Sequence, residues 1–369
     1  MRTRLSRAGI IGVLLVMAAG CAKNAPQDTF SPGGDTAQKI NGLALWAFGA
    51  AGVVGVVVAA AIVFLIVKFR RRPGDPDDLP NPVQIHGNFR LEIFWTGLPF
   101  VILAPFALFT VATVIDLSHE PKDAIVVDVY GQQWWWSFEY DLDGDPENGP
   151  EIITANDLVI PEDRQVLLQL HSRDVIHSFW IPRLAGTRDV VPGRTHTLAI
   201  EADEPGVFVG QCKEFCGLSH ANMRARAVVL TASQFETWLD QQQEDAAAPT
   251  DPEAKAGLEV FTTKCASCHQ INGVDEVEGK AALVSGHAPN LTHLMSRGVF
   301  ASGSFDLYNE DGTFNRPALE AWLRDPPGQL PMAPDQERGM PNLGLTEQEI
   351  DELVAYLQTL GPAFPAQKG

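Results

Sequence analysis

Gln211-Cys-Lys-Glu-Phe-Cys-Gly-Leu-Ser-His-Ala-Asn-Met223 gathers two thiols, an imidazole and a thioether in one short stretch. Soft sulfur ligands beside imidazole suit copper. A mononuclear blue-copper loop would supply one Cys, one His and one Met, with a second His from a distant strand. Here Cys212 and Cys216 provide an extra thiolate. Two thiolates so close on a tight loop can bridge a pair of coppers, which then share one electron and lower the reorganisation each transfer requires. The distant imidazole has a candidate in His177, within Asp174-Val-Ile-His-Ser-Phe-Trp180, at the end of an alternating run. Taken alone, His177 reads as structural, and a Cys212/Cys216 disulfide competes for the pair. Glu214, His220 and Met223 on the same loop favour metal.

Outward from this loop, Asp123 to about Leu230 shows short alternating runs, Ile125, Val127, Val129 and Val166, Leu168, Leu170, broken by turns such as Val191-Pro-Gly193. Alternation at this spacing predicts a β-sandwich over 122–240. Residues 241–250, Gln-Gln-Gln-Glu-Asp-Ala-Ala-Ala-Pro-Thr, have no apolar periodicity and read as a linker. A second, all-α domain is expected over 251–362. Thr250-Asp-Pro-Glu253 looks like a capping box opening one helix, and Thr346 with Glu349 opens another whose Ile350, Leu353, Val354 and Leu357 share a face.

The first of those helices runs into Cys265-Ala-Ser-Cys-His269, the C-x-x-C-H pattern in which two thiols bond covalently to haem and the imidazole ligates iron. A zinc site or redox dithiol would compete, but no second Cys pair stands nearby in this domain. A thioether is expected as the second axial ligand, and Met340 and Met332 compete for the role. Met340-Pro-Asn342, shortly before the last helix, resembles the ligand loop of small bacterial cytochromes c and is favoured. Met295, His287 and His293 read as packing or surface residues; His86, His119, His171 and His196 show no ligand spacing.

Residues 1–21 combine a basic start, an apolar run and Ala-Ala-Gly-Cys21, the parts of an export signal, with Cys21 placed like a lipoprotein cleavage site. Two longer apolar runs, 42–67 and 93–115, can each cross a hydrocarbon core of roughly 30 Å as a helix. Lys68, Arg70, Arg71 and Arg72 follow the first and place the loop between the spans in the cytoplasm, so both ends lie outside. The chain has 369 residues, with 27 Lys and Arg against 46 Asp and Glu. That net charge of -19 argues against nucleic acid and suits a basic protein partner, or simple solubility.

With these residues placed, the chain resembles subunit II of haem-copper cytochrome c oxidases, in the caa-type variant with a cytochrome c domain fused at the C-terminus. Gln84-Ile-His-Gly-Asn88, Leu91-Glu-Ile-Phe-Trp-Thr96 and the aromatic run Gly131-Gln-Gln-Trp-Trp-Trp-Ser-Phe-Glu-Tyr140 add to the likeness. The family often has Tyr or Phe where this chain has Trp135. The resemblance implies a two-helix transmembrane hairpin, a cupredoxin-like copper domain and a cytochrome c domain. It also implies that His177, Cys212, Cys216, His220 and Met223 bind a dinuclear copper A centre with the Glu214 carbonyl, while the Glu214 carboxylate touches a magnesium ion shared with subunit I. Trp134 would be the electron-input residue, with packing as its bland role, and Glu92 would lie near the mouth of a proton pathway or simply face water.

The implied activity is electron input to a terminal oxidase in the bacterial inner membrane, from cytochrome c or a quinol-cytochrome c reductase complex. The electron would pass through the chain's own haem c and copper to subunit I, where oxygen is reduced and protons are pumped. The chain has no array of membrane histidines for that oxygen site, which belongs to a partner. A copper A nitric oxide reductase subunit and a membrane-anchored copper chaperone are the competing readings. Tethering of the haem domain by a short flexible linker would give an effective concentration of order mM.

Overall fold

The structure, a computed structural model, describes residues 25–71, 73–74, 83, 86–142, 149–274, 287–333 and 338–362; the export signal with Cys21 lies outside them. Helices α1 (Asp35–Phe69) and α2 (Phe89–Leu117) carry the two apolar runs, and their Val, Leu, Ile and Phe side chains are largely exposed. Exposed apolar surface of that extent fits lipid as the surrounding solvent.

Both helices outrun the apolar stretches that predicted them. The added first turns of α1 are seated on the β domain: the Gly33 amide donates to the Arg183 carbonyl at 2.7 Å, Asp203 N–H to the Gly33 carbonyl at 2.9 Å, and the Thr36 hydroxyl to the Ala199 carbonyl at 3.3 Å. Lys39 joins Asp116 of α2 at 2.7 Å, pinning the two helices at the end nearest this domain. Polar residues that a hydropathy window trims away thus continue the helix because the outer domain supplies partners for them.

The middle of the chain is a two-sheet sandwich. Strands β1 (Ile125–Gln132), β2 (Trp135–Tyr140), β3 (Ile152–Ala155), β5 (Val166–Ser172) and β8 (His196–Ile200) form one sheet in the order β3-β2-β1-β5-β8. Strands β4 (Asp157–Pro161), β10 (Arg224–Leu230) and β9 (Gly206–Gln211) form the other, in the order β4-β10-β9. The pair β6 (His177–Phe179) and β7 (Arg188–Val190) stands apart. In β1, Val127 and Val129 are fully buried, with register partners Tyr140 and Phe138 on β2 and Leu168 and Leu170 on β5. Period-two alternation therefore puts one apolar face of each strand into a shared core.

Tyr140 ties the two sheets together. Its hydroxyl donates to the Val159 carbonyl at 2.8 Å and accepts from the Val159 amide at 2.9 Å, entirely within the core. Helix α3 (Ala232–Gln242), opened by a Thr231/Gln234 capping box, packs Trp238 against the Tyr140 ring and so extends the sandwich by a helix.

The C-terminal domain is helical: α4 (Pro252–Lys264), α5 (Arg316–Arg324), the short α6 (Pro326–Gln329) and α7 (Glu347–Leu357) surround Phe261, Leu319, Leu353 and Tyr356. The Thr346/Glu349 capping box is present. At α4 the cap is Asp251, one residue later than the Thr250 expectation, with Pro252 in the first turn; its carboxylate accepts from the Glu253 and Ala254 amides. A small hairpin of β11 (Val299–Phe300) and β12 (Phe305–Asp306) interrupts the helices, too short to leave an alternating pattern. Of residues 241–250, expected as a linker, Gln241 and Gln242 close α3, and Ala246 is held, its amide donating to the Asn272 carbonyl at 3.1 Å.

Replacing Tyr140 by Phe leaves the Val159 amide and carbonyl buried without partners, a loss of ~1–3 kcal/mol. The expected outcome is a lower calorimetric unfolding midpoint for the β domain with an unchanged optical spectrum of its metal centre.

Candidate metal centres

The loop between β9 and β10 carries Cys212, Cys216, His220 and Met223, and the Cys212 amide closes its base on the Met223 carbonyl at 2.9 Å. His177 enters from β6 and is fully buried. The two sulfurs are 3.8 Å apart. Each has its own imidazole, with His177 Nδ1 at 4.0 Å from the Cys212 sulfur and His220 Nδ1 at 3.5 Å from that of Cys216. Met223 Sδ lies 3.9 Å from Cys216 Sγ, and the Cys212 thiol donates to the Glu214 carbonyl at 3.3 Å. The Glu214 carboxylate belongs to an exposed residue.

A disulfide needs its sulfurs at about 2.05 Å; these thiols are free. Two sulfurs bonded at roughly 2.3 Å to one tetrahedral ion stand about 3.8 Å apart, which matches the observed separation. The donor set therefore fits copper. Proximity also splits the two thiols. A hydrogen bond from Cys216, aided by His177, holds Cys212 down to about 4, while the same contact and burial push Cys216 up.

Asp174 is a participant that pattern reading did not single out. Its Oδ1 meets His177 Nε2 at 2.8 Å and its Oδ2 accepts from the Gln133 amide at 2.8 Å, with the side chain only 5% exposed. Burial opposes charge on Asp174, but its bonds to His177 and to the Gln133 and Val175 amides hold the carboxyl below its ordinary range. Burial likewise opposes charge on His177, yet Asp174 and the Cys212 sulfur push it above the ordinary imidazole value. The carboxylate fixes the ring so that Nδ1 faces sulfur. The sequence signal was its place three residues before the histidine.

Two glycines make the approach feasible. A Cβ on Gly131 would lie 2.9 Å from the His177 ring and 3.1 Å from Trp136. Gly217 adopts φ +115, and a Cβ there would lie 2.8 Å from Gln133 Nε2. Over that turn, the Trp134 indole N–H donates to the Cys216 carbonyl at 3.0 Å and Gln133 Nε2 to the same oxygen at 2.7 Å. Trp134 is thus bonded to the backbone of a metal-ligand candidate, and it is 4% exposed.

In the helical domain, Cys265 caps the end of α4, and the His269 amide donates to the Cys265 carbonyl at 2.9 Å. Cys265 is buried, its thiol pushed up to about 12 by burial, and Cys268 is exposed. His269 Nδ1 donates to the Pro289 carbonyl at 2.8 Å. Burial holds this imidazole below its ordinary value, so it is neutral and offers Nε2 as ligand. Arg297 is buried, donates to the Asn290 carbonyl and, among the described residues, has no partner for its Nε. Burial lowers it to about 10. Two unbonded thiols, a neutral imidazole and a buried cation fit a haem, which brings vinyl groups, iron and carboxylates.

Met340 packs against the domain core, while Met332 lies beside Gly339, which in turn approaches Trp134. Glu92 sits in the first turn of α2, about 37 Å along the helix from its Leu117 end. The structure does not bring it to either centre.

Residues 125–230 match the family described as cytochrome c oxidase subunit II, periplasmic domain, residues 24–113 its transmembrane domain, and residues 254–361 cytochrome c. The chain is 32% identical over 362 residues to cytochrome c oxidase subunit 2 of Alkalihalophilus pseudofirmus, covering 95% of each. The chain belongs to the cytochrome c oxidase subunit II family. It is also 34% identical to subunit 2 of a Bacillus species, strain PS3, over 95% of this chain and 96% of that one. Among solved structures, the periplasmic domain of subunit II from Bradyrhizobium japonicum aligns at 29% identity with a TM-score of 0.30, over 33% of this chain and 96% of that one.

As a member of this family the chain is a subunit of an oxidase, membrane-anchored with an outer β domain, a copper-type domain fused to a haem c-type one. A carboxylate that hydrogen-bonds the far nitrogen of a ligand histidine is typically worth about 10–100-fold in metal affinity. Asp174→Ala is expected to weaken copper binding by about that factor, measured by chelator competition, with the haem spectrum unaltered.

Proposed function

We propose that this chain is the electron-input subunit of a haem-copper terminal oxidase in a bacterial plasma membrane, with both soluble domains on the outer face. Electrons from cytochrome c or a similar donor pass by way of the chain's haem c and a dinuclear copper A centre to subunit I, which reduces oxygen and pumps protons. The observation that carries this reading is the paired donor set. Four donors converge on two sulfurs, making six in all: His177 and the Glu214 carbonyl beside Cys212, His220 and Met223 beside Cys216. That exceeds what one tetrahedral ion takes, and two ions sharing both sulfurs would each have four.

When bound, the haem and the copper pair supply reversible one-electron storage. The chain's residues hold and insulate them. Asp174 fixes His177, Pro289 fixes His269, and the burial of Cys212, Cys216 and Met223 excludes water, which lowers the solvent rearrangement accompanying each transfer. Trp134 links the surface at Gly339 to the Cys216 carbonyl through one hydrogen bond, which supports its reading as the electron-input residue. Met340 is the proposed haem thioether ligand, and the exposed Glu214 carboxylate is free to reach a magnesium ion at the subunit I interface. Glu92, at the far end of α2, is the proposed residue at a proton-pathway mouth. The acidic chain suits a basic donor.

Purification from the native membrane tests the reading. The expected result is an electron paramagnetic resonance pattern of one electron shared equally by two copper nuclei, together with a c-type haem band and a co-purifying haem subunit. A mononuclear copper spectrum would overturn it. Met340→Leu is expected to remove the thioether-ligated haem spectrum and lower the haem reduction potential, whereas Met332→Leu leaves both unchanged; redox titration reads the difference.

A further inference from the structure

The haem domain is seated on the copper domain along one continuous seam. Gly298 N–H donates to Asp157 Oδ2 at 2.8 Å, Arg224 N–H to the Ser302 carbonyl at 2.9 Å, the Ser304 hydroxyl to the Asn222 carbonyl at 2.9 Å and Gln132 Nε2 to the His287 carbonyl at 2.9 Å. At one end, Ala333 joins the copper domain's own core beside Trp134, and a Cβ on Gly339 would lie 3.7 Å from the Trp134 ring. The surface over the indole is therefore occupied by the chain's second domain.

At the other end lies a charged node. Asp157, the first residue of β4, is 1% exposed and receives Arg226 Nε and Nη2, both at 2.7 Å, in a bidentate pair. Gly298 packs so closely on this pair that a Cβ there would lie 2.0 Å from Arg226 Nη2. Its neighbour Arg297 is buried in the haem domain, and the field of Asp157 favours its charged form across the seam. One carboxylate is thus shared across the seam: it pairs with Arg226 of its own domain and accepts from the Gly298 amide of the other, a bond that only the docked arrangement makes.

We propose that Asp157 is a docking latch: shared between Arg226 of the copper domain and the Gly298 amide of the haem domain, it holds the haem domain fixed over Trp134. The haem domain is then a locked relay and not a tethered carrier, and an external donor delivers to the haem because the indole is covered. Asp157 is a positioning residue, acting through the placement of one domain on the other. The proposal rests on the reading of the two domains as successive electron stations.

The test uses the full-length assembled oxidase carrying Asp157→Asn, which alters the latch from the copper side, or Gly298→Ala, whose added methyl wedges it from the haem side against Arg226 while leaving both members of the ion pair unsubstituted. The haem is flash-reduced with a ruthenium polypyridyl dye and copper reduction is followed optically; pulsed electron paramagnetic resonance gives the spread of haem-to-copper distances. Both variants are expected to keep wild-type copper content and haem spectra, to broaden the distance distribution and to slow transfer by of order 10- to 100-fold, the size of effect that small misplacements produce. Unchanged distances and rates in both variants would overturn the latch. So would a defect confined to Asp157→Asn accompanied by copper loss, which marks a role inside the copper domain alone. Absence of haem-to-copper transfer in the wild type would instead overturn the underlying reading, and the latch with it.

Discussion

Two buried thiols 3.8 Å apart impose the condition around which the outer domain is organised. Both cannot ionise cheaply in a low-dielectric site without a cation between them, and the opposed displacement of their acidities expresses that conflict. The fold resolves it by rigidity. The β9–β10 loop is closed at its base by the Cys212–Met223 backbone bond, Gly131 admits the β1 backbone against His177, and Asp174 clamps the far nitrogen of that ring. A centre prepared in this way changes little on gaining or losing an electron, because its ligands have nowhere to go.

The same economy governs the second domain. Its C-x-x-C-H motif is local, a helix end followed at once by the candidate ligand His269, and the Pro289 carbonyl orients the ring. What is not local is the seam. Gly298 presents backbone where a side chain would strike Arg226, so the two domains meet there at main-chain distance. The segment 243–250 is then less a tether than a strap, with Gln242 just before it bonded to Ser296 and Ala246 within it to Asn272. Close docking of this sort converts a diffusional encounter into a fixed geometry.

Much of the architecture could be read from pattern. Alternation in β1 and β5, apolar runs long enough to span a membrane, and a capping box at Thr346 each reflect forces acting within a few residues. The misplacements are equally physical. Hydropathy truncated α1 at Gly42 because it cannot see that Thr36 and Gln38 find polar partners on the outer domain and Lys39 one on α2. The first cap of the haem domain fell on Asp251 because Pro252 fits the first helical turn. Helix α3 carries a capping-box signature at Thr231 and Gln234, yet its role in covering Tyr140 is a tertiary matter.

By itself the sequence determined the chemistry: which sulfurs, imidazoles and thioethers exist, and that their spacing brings Cys212, Cys216, His220 and Met223 onto one loop and Cys265, Cys268 and His269 onto one turn. Spacing along a chain fixes such neighbours because the backbone allows few conformations over a handful of residues. Only the tertiary structure decided that His177, already a candidate from the sequence, lies beside the Cys212 sulfur with Asp174 on its other nitrogen, that Trp134 is bonded to the Cys216 carbonyl, and that Asp157 faces Gly298 across 141 residues of chain. Contacts at that separation depend on how sheets and domains pack, and no local pattern encodes them.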